Sequence, residues 1–415
     1  MEFYPSLCNS VNISCHLPHN FACLKYHCFL CKYISREHSI MEYTKTFNEL
    51  KSIFTIEKKE ILIPGSDIKI SNIGFLSDPP LNEFSNRNDT LISENHSFSY
   101  PVFIPRNPES NKVILLLHGL NERSWIKYLV WAYYLAEQTD SYIILFPISF
   151  HINRSPASWK DPRAMINSMK ERQSALGEVS MLSFANVALS NRLTEDPMRF
   201  FNSGYQTVSD IVKLLSSLRN GEHPVIPGRS KVNIFAYSIG AFLAEILMMG
   251  NPENLFSESK LFIFCGGSVF SNMQGSSKLI MDSRAFDRVY SYYLNDFEKT
   301  ITGKSPLTDF LCSSQIGMAF RSMIDLGRFK LFRENILKRL RDQIHSITLA
   351  KDSVIPSKGV LATLNNFNKK NIAEVWDFPY SYSHENPFPI FDSPLSLKVD
   401  SCFDNVFSSA SALLI

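Results

Sequence analysis

Short apolar runs recur along the chain: Val113–Leu117, Tyr142–Pro147, Val232–Ala236, Leu261–Cys265, Ser346–Ala350 and Ala373–Phe378. The first is five aliphatic residues without a polar break, the pattern of a strand buried on both faces. Between the runs, apolar residues return at helical spacing over Trp125–Glu137, Gly204–Leu218, Ala241–Met249 and Lys358–Phe367. Upstream, Thr46–Ile56 reads as a helix, and Ile61–Ile73 and His96–Ile104 as strands of a hairpin or meander. Strands that alternate with helices predict an α/β fold, a mostly parallel sheet with helices on both faces.

Two stretches break the alternation. Residues 149–203 and 268–343 are too long for ordinary connections. Each starts at the C-terminal end of a predicted strand, the edge where open α/β sheets bind ligands. They read as lid or cap insertions over a pocket, with decoration unrelated to substrate as the alternative. The chain then divides into a leader (1–40), N-terminal strands leading into the core (41–110), a main domain (111–392) and a C-terminal tail or last short element (393–415).

Composition narrows the partners. A net charge of +2 over 415 residues offers no broad cationic surface for nucleic acid. No run approaches the ~18 apolar residues of a membrane span. The N-terminus has no secretory signal, so a cytoplasmic location is expected. Five of the eight cysteines precede residue 40, and Cys28-x-x-Cys31 with nearby histidines invites a zinc reading. A single C-x-x-C without a second pair is a weak ligand set. A disordered leader, or an early start before Met41, accounts for it as well. No metal or organic cofactor is expected for the chemistry that follows.

The run at Val232–Ala236 stops at Ala236-Tyr237-Ser238-Ile239-Gly240, and a helical segment starts at once. A serine on such a strand-to-helix turn presents its hydroxyl above the sheet edge, where a base can reach it. Small residues at 236 and 240 suit the close backbone approach of the turn. The bland reading is a serine capping the next helix. A nucleophile needs a base, and the base an orienting acid. Asp352 follows the run at Ser346–Ala350, and His384 lies in a loop after the next strand. Asp377, seven residues before His384, is the rival acid.

With these residues the chain resembles the α/β-hydrolase superfamily over roughly residues 111–387. It is most similar to uncharacterised bacterial hydrolases with a long insertion before the nucleophile strand, although Ala236 stands where G-x-S-x-G has its first glycine. The resemblance implies Ser238 as nucleophile, His384 as general base and acid, and Asp352 as orienting carboxylate. It also implies an oxyanion hole of the Leu120 and Ile239 backbone N–H groups, after His118-Gly119. His118 itself reads as structural.

The implied function is cleavage of a carboxylic ester or related acyl bond of a small molecule through an acyl-enzyme. Acyl transfer by the same triad, and a non-catalytic binding scaffold, are the alternatives. For substrate contacts the residues to examine are His151, Arg154 and Trp159, at the start of the first insertion. Arg154, Lys160 and Arg163 suit a substrate carboxylate or phosphate, unless they pair with local acids. Arg172, Arg192 and Arg199 are remoter candidates. Acyl length, alcohol identity and oligomeric state are not encoded in any recognisable pattern.

Overall fold

A computed structural model of the chain describes residues 40–78, 88–365, 371–391 and 394–415. The account below concerns the compact unit Met41–Ile415. Cys28 and Cys31, and with them the zinc reading and the leader up to residue 39, lie outside the described residues.

Nine strands form one sheet: β1 (Glu60–Leu62), β2 (Lys69–Leu76), β3 (Ser97–Ile104), β4 (Lys112–Leu117), β5 (Tyr142–Phe146), β6 (Lys231–Tyr237), β7 (Leu261–Phe264), β8 (Ile344–Leu349) and β9 (Ala373–Trp376). Their spatial order is β1-β2-β3-β5-β4-β6-β7-β8-β9. From β4 to β9 every neighbouring pair is parallel, whereas β1, β2 and β3 pair antiparallel and β3 runs antiparallel to β5. This is the α/β-hydrolase fold. The single expected strand Ile61–Ile73 is two strands, because Pro64-Gly65 turns the chain with Gly65 at φ 71°. Gly65 tolerates that conformation without a Cβ penalty.

Residues of β4 point alternately to two cores. Val113, Leu115 and Leu117 join a cluster with the helices Met198–Asn220 and Ile239–Gly250. Ile114 and Leu116 join the other, with the helices Ile126–Thr139 and Leu395–Leu414. An unbroken aliphatic run is what a strand covered on both faces requires. From β4 the chain moves to β5 on one side and then to β6 on the other. The C-terminal ends of β4 and β6 therefore flank the switch in direction where such sheets open a crevice.

The expected C-terminal tail is instead the 20-residue helix Leu395–Leu414. Val399, Phe403, Val406, Phe407, Ala410 and Leu414 are buried along one face, a spacing of three and four residues. Among the described residues no helix is long and apolar enough to cross a membrane.

Glu245, on the helix Ile239–Gly250, is fully buried, and neither carboxylate oxygen has a hydrogen-bond partner among the described residues. Burial holds its carboxyl well above the ordinary range, against a weaker opposing pull from Arg333. The folded chain thus keeps a proton that the unfolded chain releases, so this group costs more stability as pH rises above the ordinary carboxylate pKa. Glu245→Met is expected to stabilise the fold by about 1–4 kcal/mol at pH 8, and by less at pH 5. Thermal melts at both pH values test this, and a pH-independent gain would contradict it.

Candidate active site

The chain leaves β6 at Tyr237 and enters the helix Ile239–Gly250 with Ser238 alone between them, at φ 58° and ψ −124°. A side-chain-bearing residue in this region is strained. Its neighbours leave no alternative path. A Cβ on Gly240 would stand 2.6 Å from the Leu117 carbonyl oxygen and 2.7 Å from that of His118. The helix start is therefore pressed directly against the end of β4. Ala236 lies inside β6 with an ordinary negative φ, paired with Leu117, so a glycine there is not required.

The turn brings Ser238 to His384. Ser238 Oγ lies 2.7 Å from His384 Nε2, and His384 Nδ1 lies 2.7 Å from Asp352 Oδ2. All three side chains are buried. A carboxylate only accepts, so Nδ1 carries the ring proton and Nε2 is left to accept from the serine hydroxyl. The other Asp352 oxygen, Oδ1, accepts from the N–H groups of Val354 (2.9 Å) and Ile355 (2.8 Å). Asp377 takes no part: it pairs with Lys351 Nζ at 3.0 Å and accepts from the Tyr382 hydroxyl.

Tyr237, which sequence reasoning passed over, clamps the histidine loop. Its ring stacks on His384 at 5.6 Å, and its hydroxyl donates to the His384 carbonyl. Lys127 Nζ sits 4.6 Å from the same ring and donates to the Glu385 carbonyl. Tyr237 is the last residue of β6, directly before the turn at Ser238; an aromatic residue beside the turn serine was the available signal.

The Ile239 amide opens its helix, where N–H groups have no intrahelical acceptor. The Leu120 amide lies across the gap, in the loop after β4. Among the described residues neither amide donates to an acceptor. Leu120 and Ile239 line one cavity, and unengaged backbone N–H groups suit an anionic oxygen. The loop is pinned throughout. His118 Nδ1 donates to the Gly119 carbonyl at 2.8 Å, and His118 Nε2 accepts from the Ile148 N–H at 2.9 Å. Gly119 donates to the Tyr128 hydroxyl, which donates to Glu122. Asn121 reaches the Ala185 and Leu279 carbonyls, tying both insertions to the loop.

An apolar cavity with an empty volume of about 810 Å³, part of it open to solvent, starts at Leu120 and Ile239. It runs between Phe200, Phe201, Phe242 and Phe320, so the segments 149–203 and 268–343 and the helix Ile239–Gly250 all supply walls.

The expected substrate residues separate. His151 lines this cavity, its Nδ1 bonded to the Ser149 carbonyl and its Nε2 without a partner among the described residues. Trp159 lines a smaller neighbouring cavity. Arg154 does neither. It is fully buried and paired with Asp210 at 2.8 Å, with further bonds to Asn95 and the Pro147 carbonyl. Each nitrogen of its guanidinium has a partner within the fold, which removes it as a substrate contact. Arg163 is exposed on the helix Pro162–Leu176. Arg172 binds Asp282 through two contacts and joins the two insertions, and Arg199 is held by Asp89 and Glu195.

Burial pushes the imidazoles of His118 and His151 down to about 3 from an ordinary value of 6.5. Between those limits the unfolded chain binds more protons than the folded one, so stability is full above about pH 6.5 and falls as pH drops. Two such groups lose about 3 kcal/mol together between pH 6.5 and pH 5. Urea midpoints at pH 7 and pH 5 measure this. His151→Gln is expected to remove about half of the slope, and an unchanged slope would contradict the assignment.

No curated protein matches the chain. Among solved structures it is similar to carboxyl esterase 2 of the mycorrhizal fungus Tuber melanosporum, at 8% identity, covering 91% of this chain and 100% of that one with a TM-score of 0.45. It is similar to an S-formylglutathione hydrolase of Agrobacterium tumefaciens at 13% identity, with 84% and 96% covered and a TM-score of 0.44. An esterase of Pyrobaculum calidifontis aligns at 11% identity, with 92% and 98% covered and a TM-score of 0.42. The family that contains the serine turn, the acid and the histidine is identified by a model matching residues 81–415: the chain belongs to the family of unknown function DUF6051.

Proposed function

We propose that this protein is a serine hydrolase that cleaves a carboxylic ester through an acyl-enzyme. One observation carries the reading: a continuous hydrogen-bonded line from Ser238 Oγ through His384 to Asp352, with both ends buried. In this reading the Ser238 hydroxyl attacks the ester carbonyl carbon as its proton passes to His384 Nε2. Asp352 stabilises the imidazolium through Nδ1. The carbonyl oxygen, now negative, turns to the Leu120 and Ile239 amides, each such donor being worth ~3 kcal/mol. Collapse expels the alcohol, which takes the proton from Nε2. Water then attacks the acyl carbon as its proton passes to Nε2, and collapse releases the acid while Nε2 returns that proton to Ser238 Oγ.

The apolar cavity beyond the two amides suits the hydrocarbon part of an acyl group. The segments 149–203 and 268–343 act in this reading as caps, since both supply its walls. A fluorophosphonate probe tests the assignment. Labelling is expected on the peptide containing Ser238 and nowhere in Ser238→Ala, together with turnover of p-nitrophenyl esters that depends on acyl length. Folded protein that takes no label would sink the proposal.

A further inference from the structure

Beside the oxyanion loop lies a second cavity, with an empty volume of about 370 Å³, part of it open to solvent. It shares Phe150, His151 and Arg192 with the apolar cavity, so the two are adjoining compartments. Its walls differ in kind. Arg123, Lys160 and Arg192 all line it. Among the described residues Arg123 has no hydrogen bond or ion pair, and its Nη1 is buried without an acceptor; its guanidinium stands 5.8 Å from the Phe184 ring. Lys160 likewise has no carboxylate partner among the described residues, and burial lowers its pKa.

Arg192 shares the single carboxylate of Asp89 with Arg199, and its Nε is buried without a partner among the described residues. Its guanidinium is held between Phe150 (4.2 Å) and Trp159 (4.8 Å), which fixes its plane. The acid on the wall, Glu122, is already bound by Lys127 and Tyr128. The cavity therefore has a surplus of positive charge. His151, only 6% exposed, adds a further unsatisfied atom, Nε2, which an O–H or N–H of a ligand satisfies. Buried guanidinium N–H groups left without acceptors are costly. A ligand with anionic oxygens removes that cost, and guanidinium geometry matches carboxylate and phosphate alike.

We infer that this cavity binds an anionic group, a carboxylate or a phosphate, on the alcohol part of the substrate, while the apolar cavity holds the acyl chain. The inference rests on the ester-cleaving reading for the role of the site, though not for its charge. The substrate class is then an aliphatic acyl ester of an alcohol that carries an anion. Of the cations Arg154, Lys160 and Arg163, Lys160 alone lines the cavity, and Arg123 and Arg192 complete it.

Three butyrate esters with one ring test the inference, those of 4-hydroxybenzoate, 4-hydroxyphenyl phosphate and 4-hydroxybenzamide. At low ionic strength kcat/KM is expected to be at least tenfold higher for one or both anionic esters than for the neutral amide, mainly through KM. Which anionic ester leads distinguishes carboxylate from phosphate. In Arg123→Gln that ratio is expected to fall at least fivefold, and in Arg123→Lys to recover in part. Calorimetric binding of the two free anionic phenols, and not of the amide, should be lost in Arg123→Gln. A ratio near one in the unaltered protein, or one that Arg123→Gln leaves in place, would overturn the inference. If no ester turns over and Ser238 takes no probe, the ester-cleaving reading fails by itself, and the calorimetry still decides whether the anion site exists.

Discussion

Replacing Ser238 with alanine is expected to lower ester turnover about 10⁴–10⁶-fold. The substitution removes Oγ and nothing else that the fold uses. Ser238 sits at φ 58° with a Cβ, and alanine keeps that Cβ and hence the same backbone strain. The Oγ hydrogen bond to His384 is lost, but His384 remains held by Asp352 and by Tyr237. Residual turnover would come from the free amides and from bound water activated by the histidine. The measurement is kcat for a p-nitrophenyl ester alongside a thermal melt. A loss of less than tenfold with an unchanged melt would remove Ser238 as the nucleophile.

Asp352→Asn is expected to cost about 10⁴-fold in kcat with little change in stability. The reason lies in the second carboxylate oxygen. Oδ1 accepts from two backbone N–H groups, of Val354 and Ile355. An asparagine must turn its carbonyl oxygen toward those donors, because its NH₂ would face them without an acceptor. The NH₂ then points at His384 Nδ1 and forces that atom to accept. The ring proton moves to Nε2, which now donates toward Ser238 instead of accepting from it. The wrong tautomer cannot take the serine proton. A variant with kcat within tenfold of the parent would show that Asp352 does not set the tautomer.

The alternation of the parallel sheet was legible because β4 and its neighbours are covered on both faces, which demands unbroken aliphatic runs such as Val113–Leu117. The juxtaposition of Ser238, Asp352 and His384 was legible for a related reason: each lies just beyond a recognisable strand, and strand order fixes their neighbourhood. The cations were not legible. Arg154 is neutralised by Asp210 and Asn95, 56 and 59 residues away, and no local pattern announces a partner at that distance. Arg123 was overlooked because what distinguishes it is that it has no hydrogen bond or ion pair among the described residues. The final helix was legible and missed. Its apolar positions at 399, 403, 406, 407, 410 and 414 have helical spacing, which the serine- and alanine-rich ending obscured.

That helix has a consequence for synthesis on the ribosome. Phe403 and Phe407 stack on each other and pack with Phe235 of β6, Tyr134, Trp131 and Phe388. Asn233 of β6 also donates to the Leu414 carbonyl. Until residues 395–414 emerge, the part of this sheet face that they bury stays uncovered, although all nine strands have been made. Exposed apolar surface of this kind makes partly made chains prone to aggregate. A chain that stops after β9 is therefore expected to expose this aromatic surface and to aggregate.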